Sequence, residues 1–159
     1  MTSGEVPIFE LTTAIEVNAP HELAFAVLWD VERYPEFLSD VVDVVTEPGG
    51  SATEQTVHYV VRSPRKLAYS LRMQAQAPDR IDWTLVDSDF QRQNRGSWMF
   101  TQAPDGALLT LDIQMEFKMP VPDVIMKKLV EFNLPILMRQ VRARIELSHR
   151  EQTPSDTAE

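Results

Sequence analysis

Apolar and polar residues alternate without a break in the run ending at Phe117. Leu109, Leu111, Ile113, Met115 and Phe117 fall on one side of an extended chain, and Thr110, Asp112, Gln114 and Glu116 on the other. In the preceding run from Gly96, Trp98 and Phe100 share one parity, and Pro104-Asp105-Gly106 separates the two. Together they predict a β-hairpin with one greasy face. Phe9, Leu11, Thr13, Ile15 and Val17 mark a half-buried first strand in the same way. Val41 to Thr46 predicts a further strand, ended by a turn at Glu47-Pro48-Gly49-Gly50. Thr53 to Val61 and Lys66 to Gln74 predict a hairpin about Arg62-Ser63-Pro64-Arg65, with Val57, Tyr59 and Val61 facing as Leu67, Tyr69, Leu71 and Met73 do. Pro78-Asp79-Arg80 turns the chain into Ile81 to Val86, whose apolar side is Ile81, Trp83 and Leu85.

Helical spacing replaces alternation in two places. After Asn18-Ala19-Pro20, the recurrence of Leu23, Ala24, Val27 and Leu28 predicts a short helix to about Trp29, with Asn18 placed to cap it. Asp30 is placed to cap a second short helix carrying Val31, Tyr34 and Phe37, ended or kinked by Pro35. A long final helix should start after Met119-Pro120-Val121-Pro122, with Asp123 at its positive end, and run to about His149. Pro135 inside that pattern predicts a kink near Leu134. The order is strand, two short helices, about six antiparallel strands and one long helix, which argues an α+β fold. One domain is expected over 9–150, between a short tail at 1–8 and a polar, disordered tail at 151–159.

Composition narrows the function. The 159 residues are 43% hydrophobic and 25% charged, ordinary for a soluble globular domain. There is no cysteine, so disulfides and thiolate metal sites are excluded, and a cytoplasmic location is expected. No segment is long and apolar enough for stable membrane insertion. A net charge of −9 argues against DNA binding, which draws on phosphate neutralisation. From Val121 to Arg150, however, six basic residues face three acidic ones. That helix could meet RNA or anionic lipid, although a solvated outer face of an amphipathic helix is the simpler explanation.

Candidate chemistry is sparse. His21, His58 and His149 lie on three separate elements, so a shared metal site is not expected, and no cofactor loop is present. Asp82, Asp87 and Asp89 fit a solvated turn. His58 and Arg72 have the opposite parity to their apolar neighbours and should face solvent, while Asn133, close to Pro135, is expected to satisfy freed backbone groups. What stands out is apolar bulk. Tyr69, Met73, Trp83, Trp98, Phe100, Met115 and Phe117 should gather on one concave face, opposed by Met126, Phe132 and Met138 from the helix, with Tyr34 and Phe37 near a lid. Packing explains each of them singly. As a set they predict a cavity for a hydrophobic ligand.

The order of elements, with Asp30-Val31-Glu32-Arg33-Tyr34-Pro35-Glu36-Phe37 after the first helix and Gly96-Ser97-Trp98-Met99-Phe100 in a late strand, resembles the polyketide cyclase/dehydrase and coenzyme Q-binding family of the START-like superfamily. The resemblance covers the chain from Phe9 to about Arg150. It implies a helix-grip fold, a curved antiparallel sheet of about seven strands around the C-terminal helix. It also implies a cavity for lipids, quinones, isoprenoids or polyketides. A non-enzymatic carrier is the leading expectation, because no catalytic constellation is recognisable. A polyketide cyclase or aromatase using an inward Tyr69 or Arg72 is the second, and a ribosome-association toxin using the basic helix the third.

Overall fold

Seven strands, two short helical elements and a long terminal helix form in the order the alternation predicts. The computed structural model describes residues 8–62 and 66–152. The expected N-terminal tail, the hairpin tip Ser63-Pro64-Arg65 and most of the expected C-terminal tail lie outside the described residues. Strand β1 (Ile8–Val17) leads into α1 (His21–Trp29) and a 3₁₀ segment (Val31–Glu36). Strands β2 (Val41–Thr46), β3 (Glu54–Arg62), β4 (Lys66–Gln76), β5 (Arg80–Ser88), β6 (Gln91–Ala103) and β7 (Gly106–Phe117) follow. The final helix comprises α2 (Asp123–Lys128), a π-helical segment (Leu129–Asn133) and α3 (Leu134–Gln152).

The sheet is antiparallel throughout, in the order β1-β7-β6-β5-β4-β3-β2, so six strands meander and β1 returns to pair with β7. Bulges at Val41/Asp43, Ser70/Leu71 and Gln91/Gln93 interrupt the ladders; such insertions bend and twist strands, which suits a sheet curling around a helix. The register aligns the apolar parities. Gln55, Met73, Trp83, Gly96, Ile113 and Leu11 form one row across six strands on the concave face. Phe100, Leu109, Ile81 and Val57 are fully buried, covered by Ala24, Phe25 and Leu28 of α1 and Met138, Val141 and Ile145 of α3.

Local details depart from expectation. Asn18 does not cap α1: Pro20 occupies the N-cap position, and the Asn18 backbone N–H instead donates to Glu146 Oε2 at 2.9 Å, tying the end of β1 to α3. Asp30 offers no side-chain cap and pairs with Arg33 at 3.1 Å. Pro35 does not end the second helix but sits within the 3₁₀ segment. Strand β6 starts at Gln91, earlier than Gly96, because its first residues are polar and conceal the pattern. The interruption in the terminal helix is a π turn before Pro135. Pro135 has no N–H for the Glu131 carbonyl, and a wider turn also relieves the clash of its ring there.

Candidate functional site

The concave face has two unequal halves. Near α1 the rings fill the space: Phe25 meets Phe100 edge-on with centroids 5.7 Å apart, and Trp98 is buried beside them. Toward the other end, Tyr69, Leu85, Ile113, Met115 and Phe117 are only half-buried, although the strand parity turns them inward. The terminal helix explains the difference. Leu134, Leu137 and Met138 of α3 pack on the core, whereas no residue of α2 or the π segment is buried. The result is an apolar trough, closed beneath α1 and α3 and left uncovered under α2.

Met73 and Trp83 make the floor. The Trp83 indole lies across Gly96, whose lack of a side chain is what admits it: a Cβ there would fall 2.6 Å from Trp83 Cζ2. Trp83 Nε1 donates to Asn94 Oδ1 at 3.0 Å, Asn94 Nδ2 donates to Gln91 Oε1 at 3.5 Å, and Gln91 Nε2 reaches the Met115 sulfur at 3.4 Å. Both amides are 4% exposed. A chain of neutral donors and acceptors therefore satisfies the floor without placing a charge in it. Ser88 Oγ accepts the backbone N–H groups of Phe90 and Gln91, and Lys118 Nζ donates to the Ser88 carbonyl at 2.7 Å, which fixes the β5–β6 turn at the open end.

The wall is aromatic. All three tyrosines of the chain stand together: Tyr59 stacks on Tyr69 at 5.2 Å and lies 6.4 Å from Tyr34, and Phe90 meets Tyr69 edge-on at 6.1 Å. Burial pushes the Tyr69 phenol up to about 12, and burial together with the neighbouring phenols raises Tyr34 and Tyr59 as well. All three are consequently neutral at ordinary pH and available as hydrogen-bond donors, not bases. Tyr34 donates to the Leu28 carbonyl at 2.6 Å and Tyr59 to the Met73 sulfur at 3.1 Å. The Tyr69 hydroxyl makes no hydrogen bond among the described residues. Since no fully buried side-chain oxygen or nitrogen among them lacks a partner, its oxygen is not fully enclosed.

The structure thus brings Tyr69, Met73, Trp83, Met115 and Phe117 to one trough, with Met138 buried above and Met126 half-buried at its uncovered end. Trp98 and Phe100 belong to the packed half. Tyr34 is a buried wall residue. Phe37 lies under Arg144, 5.1 Å from ring centroid to guanidinium, and Phe132 is 60% exposed. Sequence reasoning missed Asn94, Gln91 and Tyr59. Asn94 shares the parity of Trp98 and could have been found by it, but the bulge at Gln91/Gln93 hides Gln91. His58 and Arg72 face outward as expected: His58 Nε2 lies 2.9 Å from Glu47 and Arg72 pairs with Glu54 at 3.5 Å.

A separate cleft of about 360 Å³ runs between α1 and the end of α3, lined in part by Val27, Asp30, Arg33, Phe37, Arg144 and Glu151. Its guanidinium groups are engaged. Arg33 pairs with Asp30 and Glu36, and Arg144 donates to Glu36 at 2.6 Å, which holds the Glu36 carboxyl below its ordinary value. Ion pairs line this cleft, and Phe37 is the one aromatic ring among the described residues of its lining.

A family model described as polyketide cyclase / dehydrase and lipid transport matches residues 17–135. No curated protein matches the chain. Among solved structures, the Zhui aromatase/cyclase from a Streptomyces species is 17% identical with a TM-score of 0.77, over 88% of this chain and 94% of that one. A START superfamily protein from Mycobacterium smegmatis is 22% identical with a TM-score of 0.74, over 87% and 98% of the two chains. A STAR-related lipid transfer protein from Xanthomonas axonopodis is 14% identical with a TM-score of 0.70, over 86% and 85%. At these identities the likeness is one of fold, the helix-grip arrangement.

Proposed function

From the premise that the chain belongs to the polyketide cyclase/dehydrase and lipid transport family, we propose that it binds and carries a hydrophobic small molecule, a lipid, quinone, isoprenoid or polyketide, in the trough between sheet and terminal helix. The observation that carries this reading is the half-exposed apolar face from Tyr69 to Phe117 beneath a helical segment that buries nothing. Burying each methylene of a ligand is worth roughly 0.8 kcal/mol, so a ten-carbon tail gains on the order of 8 kcal/mol before several are lost to ordering. Affinity then needs no polar contact; the polar atoms select the ligand. Tyr69 Oη and Gln91 Nε2 are both donors, so they favour a neutral guest bearing acceptor oxygens. Native mass spectrometry and solvent extraction of gently purified protein test the proposal. A copurifying or loadable apolar molecule at one per chain is expected, and a chain that takes up no hydrophobe refutes it.

A second reading, a polyketide cyclase or aromatase, has one observation in its favour: the Tyr69 hydroxyl lacks an internal partner and lies beside apolar walls that would fold a flexible substrate. A phenol held near 12 would polarise a carbonyl by hydrogen bonding and would be a poor proton acceptor. Cyclisation of a synthetic poly-β-ketone that slows in Tyr69→Phe supports it; equal turnover by both proteins removes it.

A further inference from the structure

We propose that the outer face of the terminal helix between Val124 and Arg139 docks on an anionic lipid surface, independently of what the trough holds. Eleven large apolar side chains stand out as exposed among the described residues, and five of them, Val124, Ile125, Val130, Phe132 and Ile136, fall in this one segment, with Met119 just before it. Val124 is 71% exposed, and α2 buries none of its residues. Such a surface is unusual on a free domain and marks contact with another phase or partner. No described helix is long and apolar enough to cross a membrane, so this one would lie on the surface.

Charge selects the occupant. Between Lys118 and Arg139 there are four basic residues and two acidic ones, in a chain whose net charge is −9. An anionic bilayer attracts this end and repels the acidic remainder, which orients the protein with the α2 end down. A second copy of the chain meeting the same face would bring Lys127 and Lys128 toward their own equivalents, and like charges disfavour that contact. Nucleic acid would leave Val124, Ile125, Phe132 and Ile136 without apolar partners. A bilayer offers both anionic headgroups and an acyl boundary. Half-buried Met126 and Leu129 belong to the same segment, so docking would set the uncovered end of the trough against the source of an apolar guest.

Vesicle flotation with phosphatidylcholine alone and with roughly one-third phosphatidylglycerol tests this. Binding to the anionic vesicles only, weakening as salt rises, is expected. Neutralising two lysines in Lys127→Gln/Lys128→Gln should weaken partitioning roughly thirtyfold, at about one kcal/mol per charge near the surface and 1.4 per decade. Phe132→Ser, which leaves the charge intact, should weaken it about tenfold. All these side chains are exposed, so the variants should melt with the unmodified protein, and thermal unfolding verifies it. Equal flotation by the variants, or none by the unmodified protein, overturns the proposal. So does light scattering that reveals a dimer dissociated by Phe132→Ser, or RNA retention lost on neutralising the lysines.

Discussion

Replacing Gly96 by alanine should damage this domain severely, because the added carbon has nowhere to go. The added Cβ would lie 2.6 and 2.9 Å from two atoms of the Trp83 indole and would also run into the carbonyl oxygen of Asp112. Ordinary carbon contacts begin near 3.5 Å, so the indole must retreat by about 1 Å. The carbonyl belongs to the β6–β7 ladder, where Ser97 pairs with Asp112, and has little freedom to yield. Overpacking of this kind costs about 1–3 kcal/mol. If the indole swings away, its N–H leaves Asn94 Oδ1, and a buried unpaired group costs about 1–3 kcal/mol more. A loss of about 2–6 kcal/mol is a large fraction of the roughly 5–15 kcal/mol that holds a domain together. Urea unfolding followed by tryptophan fluorescence and circular dichroism reads it. The cause is isolated by a double-mutant cycle with Trp83→Phe, whose smaller ring should return about 1–2 kcal/mol of the penalty. A Gly96→Ala variant within about 0.5 kcal/mol of the parent, or a penalty unchanged in the Trp83→Phe background, refutes the packing argument.

The tyrosine cluster makes a pH prediction. Because all three phenols titrate above the ordinary value of 10, their contribution to stability is full below that pH and declines as pH rises through 10 toward the folded values. Phenolate absorbance should therefore appear late and together with unfolding, and a tyrosine ionising freely near 10 in the folded protein would contradict it. Tyr69→Phe should leave stability unchanged while weakening binding of a carbonyl-bearing apolar probe by about 2- to 13-fold, the worth of one hydrogen bond, with no effect on a hydrocarbon of equal size. Tyr34→Phe, which removes the bond to the Leu28 carbonyl, should instead cost about 1 kcal/mol of stability in denaturant titration. Asn94→Leu leaves the Trp83 N–H and Gln91 Oε1 unpaired and should cost about 1–3 kcal/mol; a neutral result would mean water replaces the amide.

The sheet was legible because one face of it is buried: a strand that must hide alternate side chains shows its parity, and Trp83, Trp98 and Ile113 fell on the concave side accordingly. The Gln91–Arg95 stretch was not, since Asn94 and Gln91 are polar residues buried by hydrogen-bonding to each other and to Trp83, and polarity alone reads as loop. The helix misled for a geometric reason. Phe132, expected on the inward side with Met138, falls in the π segment, which interrupts the regular helical turn, and it is 60% exposed. The same break accounts for a trough that is uncovered at one end. The stacking of Arg144 over Phe37 and the convergence of Tyr34 on Tyr59 join residues distant in the chain, and no local pattern records such contacts.

A guest lying along the inner face of the sheet is the central element of the proposed function. Photo-crosslinking with a diazirine-bearing acyl chain, followed by peptide mapping, locates it directly. Labels on β4, β5 and β7 at Tyr69, Leu85, Ile113 and Met115, and on α3 at Leu137, are predicted. Labelling confined to the Arg33, Phe37 and Arg144 cleft, or to the exposed ridge at Ile125 and Phe132, would contradict it.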